Sequence, residues 1–526
     1  MKHKIIILSA LVVAAGCTKL DEHLGSQTTA GSGSSGGVTA TNILAGTYDA
    51  MRGPYQDQSR VWAMQQHTSD ETIGPTRAGD WDDNGVWRVL HSHQWDPNHG
   101  FLADTYRDLG RVVFSATDLL RLSPTPQQAA EGRLLRAMAM FSLVDGWDQV
   151  PYRENTANSE EVPKVRKGTE ALAYIITELT AIIPDLPVGP AKQANKDAAR
   201  VLLMKCLLNK GVIASRATPT FAAADMNQVI ALADQVMTSS RGYALESNYF
   251  DAYAPTNDAI SKEDIWTAEN IGGSSSGNVR SRWFCGLHYN QNPSGWNGFT
   301  TLSDFYGKFE ATDKRRGGST YPGMDKGISP GFLIGQQKTY KKATSPGAFP
   351  YAPLDSNLSD RTGAPLIFTA QVKLVETGSD LERTGIRVMK YPIDYTGGDN
   401  SNNDYVYFKI SDVILMKAEA ILRGGTATAN PATFGGSNTA LGQVNFLRTH
   451  ASRGASALAS LTLDNLLDER GRELYWESWR RQDLIRFGKY LNAWQEKPAS
   501  DPKRLIFPIP SRSLAANPNL VQNPGY

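Results

Sequence analysis

The chain has 526 residues, 40% of them hydrophobic, with 54 Lys and Arg against 53 Asp and Glu for a formal charge of +1. So even a balance sets up no global field for a polyanion, and nucleic acid is excluded as an expected partner. The three cysteines and eight histidines fall in no zinc-site spacing, and no metal site is expected from them.

The first residues read as an address. Lys2 and Lys4 form a basic n-region, residues 5–15 are apolar apart from Ser9, and Val13-Ala14-Ala15-Gly16 sets small residues before Cys17. A spanning helix needs about 20 apolar residues, so this shorter run is an export signal to be cleaved. The pattern resembles a lipobox. Residues 1–16 are then a lipoprotein signal peptide and Cys17 is the acylated mature terminus, and loss of Lys2 and Lys4 turns +1 into −1. The bland alternative is an ordinary secretory signal with an incidental cysteine. Residues 17–41, rich in Gly, Ser and Thr, make a flexible tether. No later segment is apolar enough over a long enough stretch to span a bilayer.

Helical periodicity dominates residues 42–244. Val112, Val113, Ala116, Leu119 and Leu120 build one face of a helix over 104–121. Further helices are expected over 127–145, over 169–183 with Thr169 as N-cap and Pro184 as stop, and over 196–214 and 226–239. Amphipathic helices of this length pair as tetratricopeptide-like units do, although no strict repeat occurs. Residues 245–407 change character: Gly, Ser, Asn, Pro and aromatics crowd together, as in binding loops carried on a scaffold. Residues 408–526 return to helices over 408–423 and 441–447, then one long helix over 463–488 with Asp468–Arg472 and Glu477–Arg481 as i,i+4 pairs. The fold class is therefore all-α dominated, a tetratricopeptide-like helical-repeat scaffold with a large loop-rich insertion and a C-terminal part packing back on it. Cys206 and Cys285 are expected as buried free thiols, with a disulfide as the alternative.

Three stretches carry a family resemblance. The first runs Glu131-Gly132-Arg133-Leu134-Leu135-Arg136-Ala137 to Phe141, then Gly146-Trp147-Asp148-Gln149-Val150-Pro151-Tyr152. The second is Asp412-Val413-Ile414-Leu415-Met416-Lys417-Ala418-Glu419-Ala420. The third is C-terminal: Glu469-Arg470-Gly471-Arg472-Glu473-Leu474, Arg480-Arg481-Gln482-Asp483-Leu484-Ile485-Arg486, Phe507-Pro508-Ile509-Pro510 and the closing Asn523-Pro524-Gly525-Tyr526. In this order, behind a lipobox, they resemble the SusD/RagB family. In physical terms they are structural: Arg and Glu on apolar helices pair with one another, and the terminal run pins the tail by turns and a ring.

The resemblance implies a SusD-like fold and a cell-surface lipoprotein, held at the outer membrane by lipid on Cys17. It implies capture of oligosaccharide or polysaccharide and delivery to a SusC-like TonB-dependent barrel transporter. Sugars offer C–H faces to Trp and Tyr and hydroxyls to polar side chains. Two loops fit, one holding Trp81, Asn84 and Trp87, the other Trp283, His288, Tyr289 and Trp296. Trp81 and Trp283 lead as ligand-binding candidates, Tyr321 and Tyr351 rank below, and each ring alone has the competing reading of a plug between loop and helix. Trp95 is read as part of a structural turn. Asp80 to Gly85 also matches the opening of a calcium loop, but position 12 is His91 rather than Glu, so the segment is read as a polar turn or sugar-facing loop. No cofactor is expected, with a structural calcium as the alternative, and the oxygen-rich 399–404 is read as a solvated turn. No G-x-S-x-G, H-E-x-x-H or P-loop occurs, so no catalytic residue is assigned and the chain is read as a non-enzyme. The alternatives are a RagB-like oligopeptide-binding lipoprotein and, behind it, a glycoside hydrolase.

Overall fold

The computed structural model describes residues 38–526 apart from 156–159, 274–277, 319–327, 343–350 and 398–399. The signal, Cys17 and the tether as far as residue 37 lie outside the described residues, as do Tyr321, Asp399 and the side chain of Tyr351. Twelve helices organise the rest: α1 (Ala40–Gln56), α2 (Val61–Gln66), α3 (Val86–His91), α4 (Gly100–Leu120), α5 (Pro126–Trp147), α6 (Gly168–Ile182), α7 (Lys196–Ala214), α8 (Ala223–Met237), α9 (Ile410–Leu422), α10 (Ala440–Thr449), α11 (Leu463–Leu474) and α12 (Arg480–Arg486), shorter ones being named by residue. No helix among the described residues is long and apolar enough to cross a membrane.

Local chemistry sets the ends. Helix α5 opens on a capping box in which Thr125 and Gln128 satisfy each other's backbone N–H, with Pro126 in the first turn, and it closes on Asp148 in the left-handed region. Thr462 and Asn465 form the same box at α11, and Asn195 caps α7 through the N–H of Ala198. Helix α1 packs on α4, and from α4 each long helix packs on the next through to α10, so that every apolar stripe meets a neighbour. Helix α5 is buried around nearly its whole circumference, which makes it the centre of the scaffold. Among the described residues strands occur only as pairs, notably the hairpin β1 (Gln149–Tyr152) with β2 (Lys164–Lys167), and β3 (Asp264–Ala268) antiparallel to β4 (Tyr405–Lys409), which ties the two ends of the loop-rich region together. Cys206 and Cys285 are free and buried, and burial pushes the Cys285 thiol up to about 12. The tail is pinned as expected: Tyr526 accepts from the Trp95 indole at 2.9 Å, and Asn523 donates to the carbonyls of Trp147 and Phe507.

Three expectations fail. Thr169 does not cap α6, because the chain leaves β2 at Lys167 and is already helical at Gly168. The tether does not run to 41, because Ala40 and Thr41 open α1. The helix over 463–488 is two helices, broken where Trp476 (φ 61°) and Ser478 (φ 67°) turn left-handed. Its predicted i,i+4 pairs do not form either. Asp468 pairs with Lys308 at 2.7 Å, Arg472 with Glu469 at 2.8 Å, Arg481 with Asp145 at 3.2 Å, and Glu477 with Lys390 and Lys409.

Glu469 and Glu477 belong to a buried charge centre at α11. Glu473 takes Arg453 at 2.7 Å, Arg315 at 3.1 Å and Lys409 at 3.2 Å, while Glu469 takes Arg315 at 2.7 Å and Arg448 at 2.5 Å. Burial raises the Glu469 carboxyl, but Arg315, Arg472 and Arg448 outweigh that and hold it down to about 2. Arg486 and Arg423 do the same for Glu419, also about 2. Both folded values lie below the usual carboxylate value, so the stability these groups supply is complete above about pH 4.5 and is lost as pH falls towards 2. Urea midpoints measured from pH 7 to pH 3 should therefore fall once pH drops below about 4.5, and a flat profile would refute the linkage. Glu473→Ala strands three buried cations and should cost about 3–5 kcal/mol in the same assay.

Candidate functional site

Three segments far apart in sequence are laced together at one surface. Ile73 exchanges backbone hydrogen bonds with Thr300, Thr301 bonds to Ile386, and Thr76–Arg77 lies parallel to Val375–Glu376. Arg77 crosses the seam beneath them, bonding the carbonyl of Thr384 at 2.9 Å. This lacing brings the two aromatic loops into one place.

Trp81 and Trp296 meet there. The Trp81 indole donates to the Trp296 carbonyl at 2.8 Å, and the rings sit 6.1 Å apart at 58°. Trp81 lies against Gly298, where a Cβ would overlap the indole, so glycine is required for the two loops to close. Trp296 is 48% exposed and backed by Phe284 at 4.6 Å. Trp81 (φ 61°), Asp83 (φ 40°), Asn84 (φ 56°) and Asn297 (φ 54°) all occupy the left-handed region, a concentration of backbone strain of the kind that gathers at ligand clamps.

A polar rim adjoins the rings. The Tyr289 hydroxyl donates to Asp80 at 2.8 Å, and the Arg361 guanidinium lies over the Tyr289 ring at 4.0 Å while pairing with Asp80 at 3.5 Å and with Glu382. Burial together with the Asp80 bond raises the Tyr289 phenol to about 12, so it stays protonated and donating. Asn84 and Asn290 are exposed, and Asn290 bonds the Ser359 carbonyl at 2.9 Å. Half-buried Trp81, exposed Trp296 and half-buried Tyr289 thus form an open platform with donors and acceptors at its edge, a surface suited to a ligand with apolar faces and hydroxyls.

Three of the expected ligand residues are not on that surface. Trp87 is 3% exposed, packed on Phe101, Phe299 and His67, with its indole donating to Asp83 at 2.8 Å. Trp283, at 2%, is in the core, on the turn of helix Ser281–Phe284. His288 is fully buried: Nδ1 accepts from the Asn290 backbone at 3.0 Å and Nε2 donates to Glu382 at 2.8 Å. Burial holds its pKa below the ordinary value, so it is a neutral prop for Tyr289 and Asn290. The plug reading fits these three because all are buried, Trp87 under Phe299 and Phe101. The carboxylates of the calcium-like segment have partners within the protein, Asp82 pairing with Arg88, Asp83 with Trp87 and Asp80 with Tyr289, and no cluster of three metal-ligating side chains occurs among the described residues. Arg361 and Phe284 complete the platform without having been singled out. Arg361 follows Asp360, whose carboxylate caps the tight turn through Thr362 and Ala364, so the turn is readable in sequence but the arginine's destination is not.

A helical-repeat scaffold presenting an open aromatic surface is the class that fold and site define. The chain belongs to the SusD family, whose profile matches residues 262–526. Over 487 residues it is 25% identical to the starch-binding protein SusD of Bacteroides thetaiotaomicron, covering 85% of this chain and 82% of that one. A SusD superfamily protein from Parabacteroides distasonis superposes with a TM-score of 0.70 at 15% identity, covering 93% and 100% of the two chains. Surface glycan-binding protein A from Bacteroides thetaiotaomicron, solved with laminarihexaose, gives 0.65 at 17% identity over 92% and 98%.

The burial pattern separates the tryptophans by experiment. Trp87→Ala should cost about 3–5 kcal/mol in chemical unfolding, whereas Trp296→Ala should shift stability by about 0.5 kcal/mol or less. Equal losses for the two variants would contradict the placement.

Proposed function

We propose that this protein is a cell-surface lipoprotein that binds oligosaccharide or polysaccharide and passes it, without cleaving it, to a SusC-like TonB-dependent outer-membrane transporter. The observation that carries the reading is the open platform of Trp81, Trp296 and Tyr289 with its polar rim, held on a scaffold of the SusD family. The named ligands of its relatives, starch and laminarihexaose, support a glycan as cargo. Ring stacking on sugar C–H faces and hydrogen bonds at the rim are both sequence-tolerant and reversible, which suits capture and release. The basic, apolar and small-residue order before Cys17 supports a lipid anchor there, and lipid chains contribute about 0.8 kcal/mol per buried methylene towards holding the body at a bilayer. We read residues 42–244 as the helical N-terminal part, 245–407 as the ligand-bearing part and 408–526 as the part that packs back on the scaffold.

Calorimetry against a panel of polysaccharides and against a mixture of oligopeptides tests the ligand class. At least one glycan should bind, and Trp296→Ala or Trp81→Ala should weaken it by about tenfold or more with the fold intact. Peptide binding with no glycan response would reject the reading in favour of an oligopeptide carrier. Release of shorter saccharides on prolonged incubation would reject the non-catalytic part. Copurification of a barrel transporter with the full-length protein, lost when Cys17→Ala prevents acylation, tests the partner and the anchor together.

A further inference from the structure

A cavity of about 570 Å³, within the range of small-molecule sites, opens between α4, α5, α6 and the segment that follows β1. None of its lining residues belongs to the loop platform. Three arginines, Arg133, Arg136 and Arg153, line it together with two carboxylates, Glu154 and Glu178. Glu178 is already taken: Arg133 holds it through two nitrogens at 2.8 and 2.9 Å, and Arg136 through a third at 2.7 Å. Glu154 is half exposed, and its cations, Lys164 and Arg166 at 3.9 Å, stand outside the lining. Arg153 has no carboxylate partner among the described residues. Its Nε donates to the Glu161 carbonyl at 2.8 Å, and its guanidinium lies over the Phe114 ring at 4.8 Å. The charges just beyond the wall are paired or turned to solvent: Arg121 takes Asp118 at 2.8 Å, Arg166 takes Glu170 at 3.0 Å, and Glu160 and Glu161 are exposed. The lining therefore carries one cation more than its carboxylates answer.

The donors left over are arranged for an oxyanion. Arg133 spends Nε and Nη2 on Glu178, which leaves Nη1, and Arg153 spends only Nε, which leaves both terminal nitrogens. Both side chains are partly exposed. Arg136 Nη1 is held only by Thr117 at 3.3 Å and Asn155 at 3.4 Å, both longer than an ordinary hydrogen bond. Guanidinium forks pair with the oxygens of carboxylates, sulfates and phosphates two at a time. The remaining walls suit a sugar ring: Leu120, Pro124, Ala129 and Met140 are apolar, while Tyr152 and Tyr174 add phenols. The Tyr174 hydroxyl accepts from Arg136 at 2.9 Å and so keeps its own proton to donate. A bare ion would leave most of this space empty. We propose that the cavity between α4, α5 and α6 is a site for an acidic sugar, a uronate or sugar phosphate of one or two rings. Arg133 and Arg153 hold its charged group, and the site is independent of the loop platform.

The test is calorimetry on the full chain at low ionic strength, with D-glucuronate, D-glucose 6-phosphate and D-glucose as probes. At least one of the two anions should bind, and glucose should bind about tenfold more weakly or not at all. Arg153→Gln, which breaks no ion pair, should weaken the anion by about tenfold while leaving the thermal midpoint unchanged. Ala129→Trp, which places an indole in the cavity from a partly exposed position on α5, should abolish binding. Trp296→Ala should leave the anion's affinity as it is, which separates this site from the platform. The acidic-sugar site is overturned if neither anion binds, if glucose binds as tightly as the anions, if Arg153→Gln leaves the affinity unchanged, or if Trp296→Ala removes it. None of these results touches the platform, whose own reading stands or falls on the polysaccharide panel.

Discussion

Glu473 is the point on which the architecture turns. A carboxylate removed from water loses several kcal/mol of hydration, and it stays charged only where cations with good geometry replace the solvent. Here the cations come from three segments far apart in sequence: Arg315 and Lys409 from the loop-rich region and its border, and Arg453 from the C-terminal part. Arg453 in turn holds Glu263 at 2.7 Å, at the start of β3. Glu473 and Arg453 pair within the C-terminal part, but the centre is complete only when the loop region has closed over α11. The same desolvation cost that makes an incomplete centre unstable thus makes the complete one specific, and it explains how a region with so little regular secondary structure is held in one arrangement.

The platform inherits that rigidity through short physical links. Lys390, which pairs with Glu477, directly follows Arg387–Met389, the strand that pairs with Gly331–Leu333. Arg387 at the head of that strand donates to Asn297 at 2.7 Å, next to Trp296, and to the carbonyl of Glu382, the residue shared by His288 and Arg361. A second link is aromatic. From exposed Trp296 the rings run inward to Trp81, then Phe299, then Trp62 and Trp476, each step between 4.8 and 6.1 Å. Trp476 stands at the break between α11 and α12, beside the charge centre. The surface rings are the outer end of a stack anchored in the core, so they meet a ligand with their rotamers already fixed.

The legible part of this molecule is what local chemistry decides. The span Lys196–Ala214 coincides with its expectation because Asn195 caps it and an apolar stripe runs its length, and α5 is off by only a residue or two at each end. The break at Trp476 and Ser478 was not legible, since neither is Gly or Pro and the apolar period continues past them. What bends the chain there is tertiary: the Trp476 backbone donates to buried Glu71, over 400 residues away in sequence. The Glu477–Arg481 pair failed for the same reason, because a carboxylate in the core goes to the cations brought to it by the fold, here Lys390 and Lys409, rather than to the nearest in sequence. At the site, tryptophan-rich loops were visible as such, but Trp81 and Trp87 lie six residues apart in one loop, and the spacing alone does not say which is covered. Phe299, contributed from elsewhere, lies within 4.8 Å of both rings, and only Trp81 keeps part of its surface open.

That division bears on what the platform can recognise. Its rings are fixed by the core, whereas its polar edge is carried by turns: Asp80 by the strained 78–84 loop, Arg361 by the Asp360 turn, and Asn290 by the prop of His288. Stacking rewards any flat apolar face, so the rings alone discriminate poorly between one saccharide and another. Discrimination comes from hydrogen bonds that are left unmade when the wrong hydroxyl arrives, because an unpaired polar group costs more than a paired one gains. Changes at Asp80 and in the 359–364 turn would therefore retune the ligand while leaving the rings, the aromatic stack and the charge centre as they are. A scaffold built in this way separates holding from choosing: the core fixes where a ligand lies, and a few turn residues decide which one.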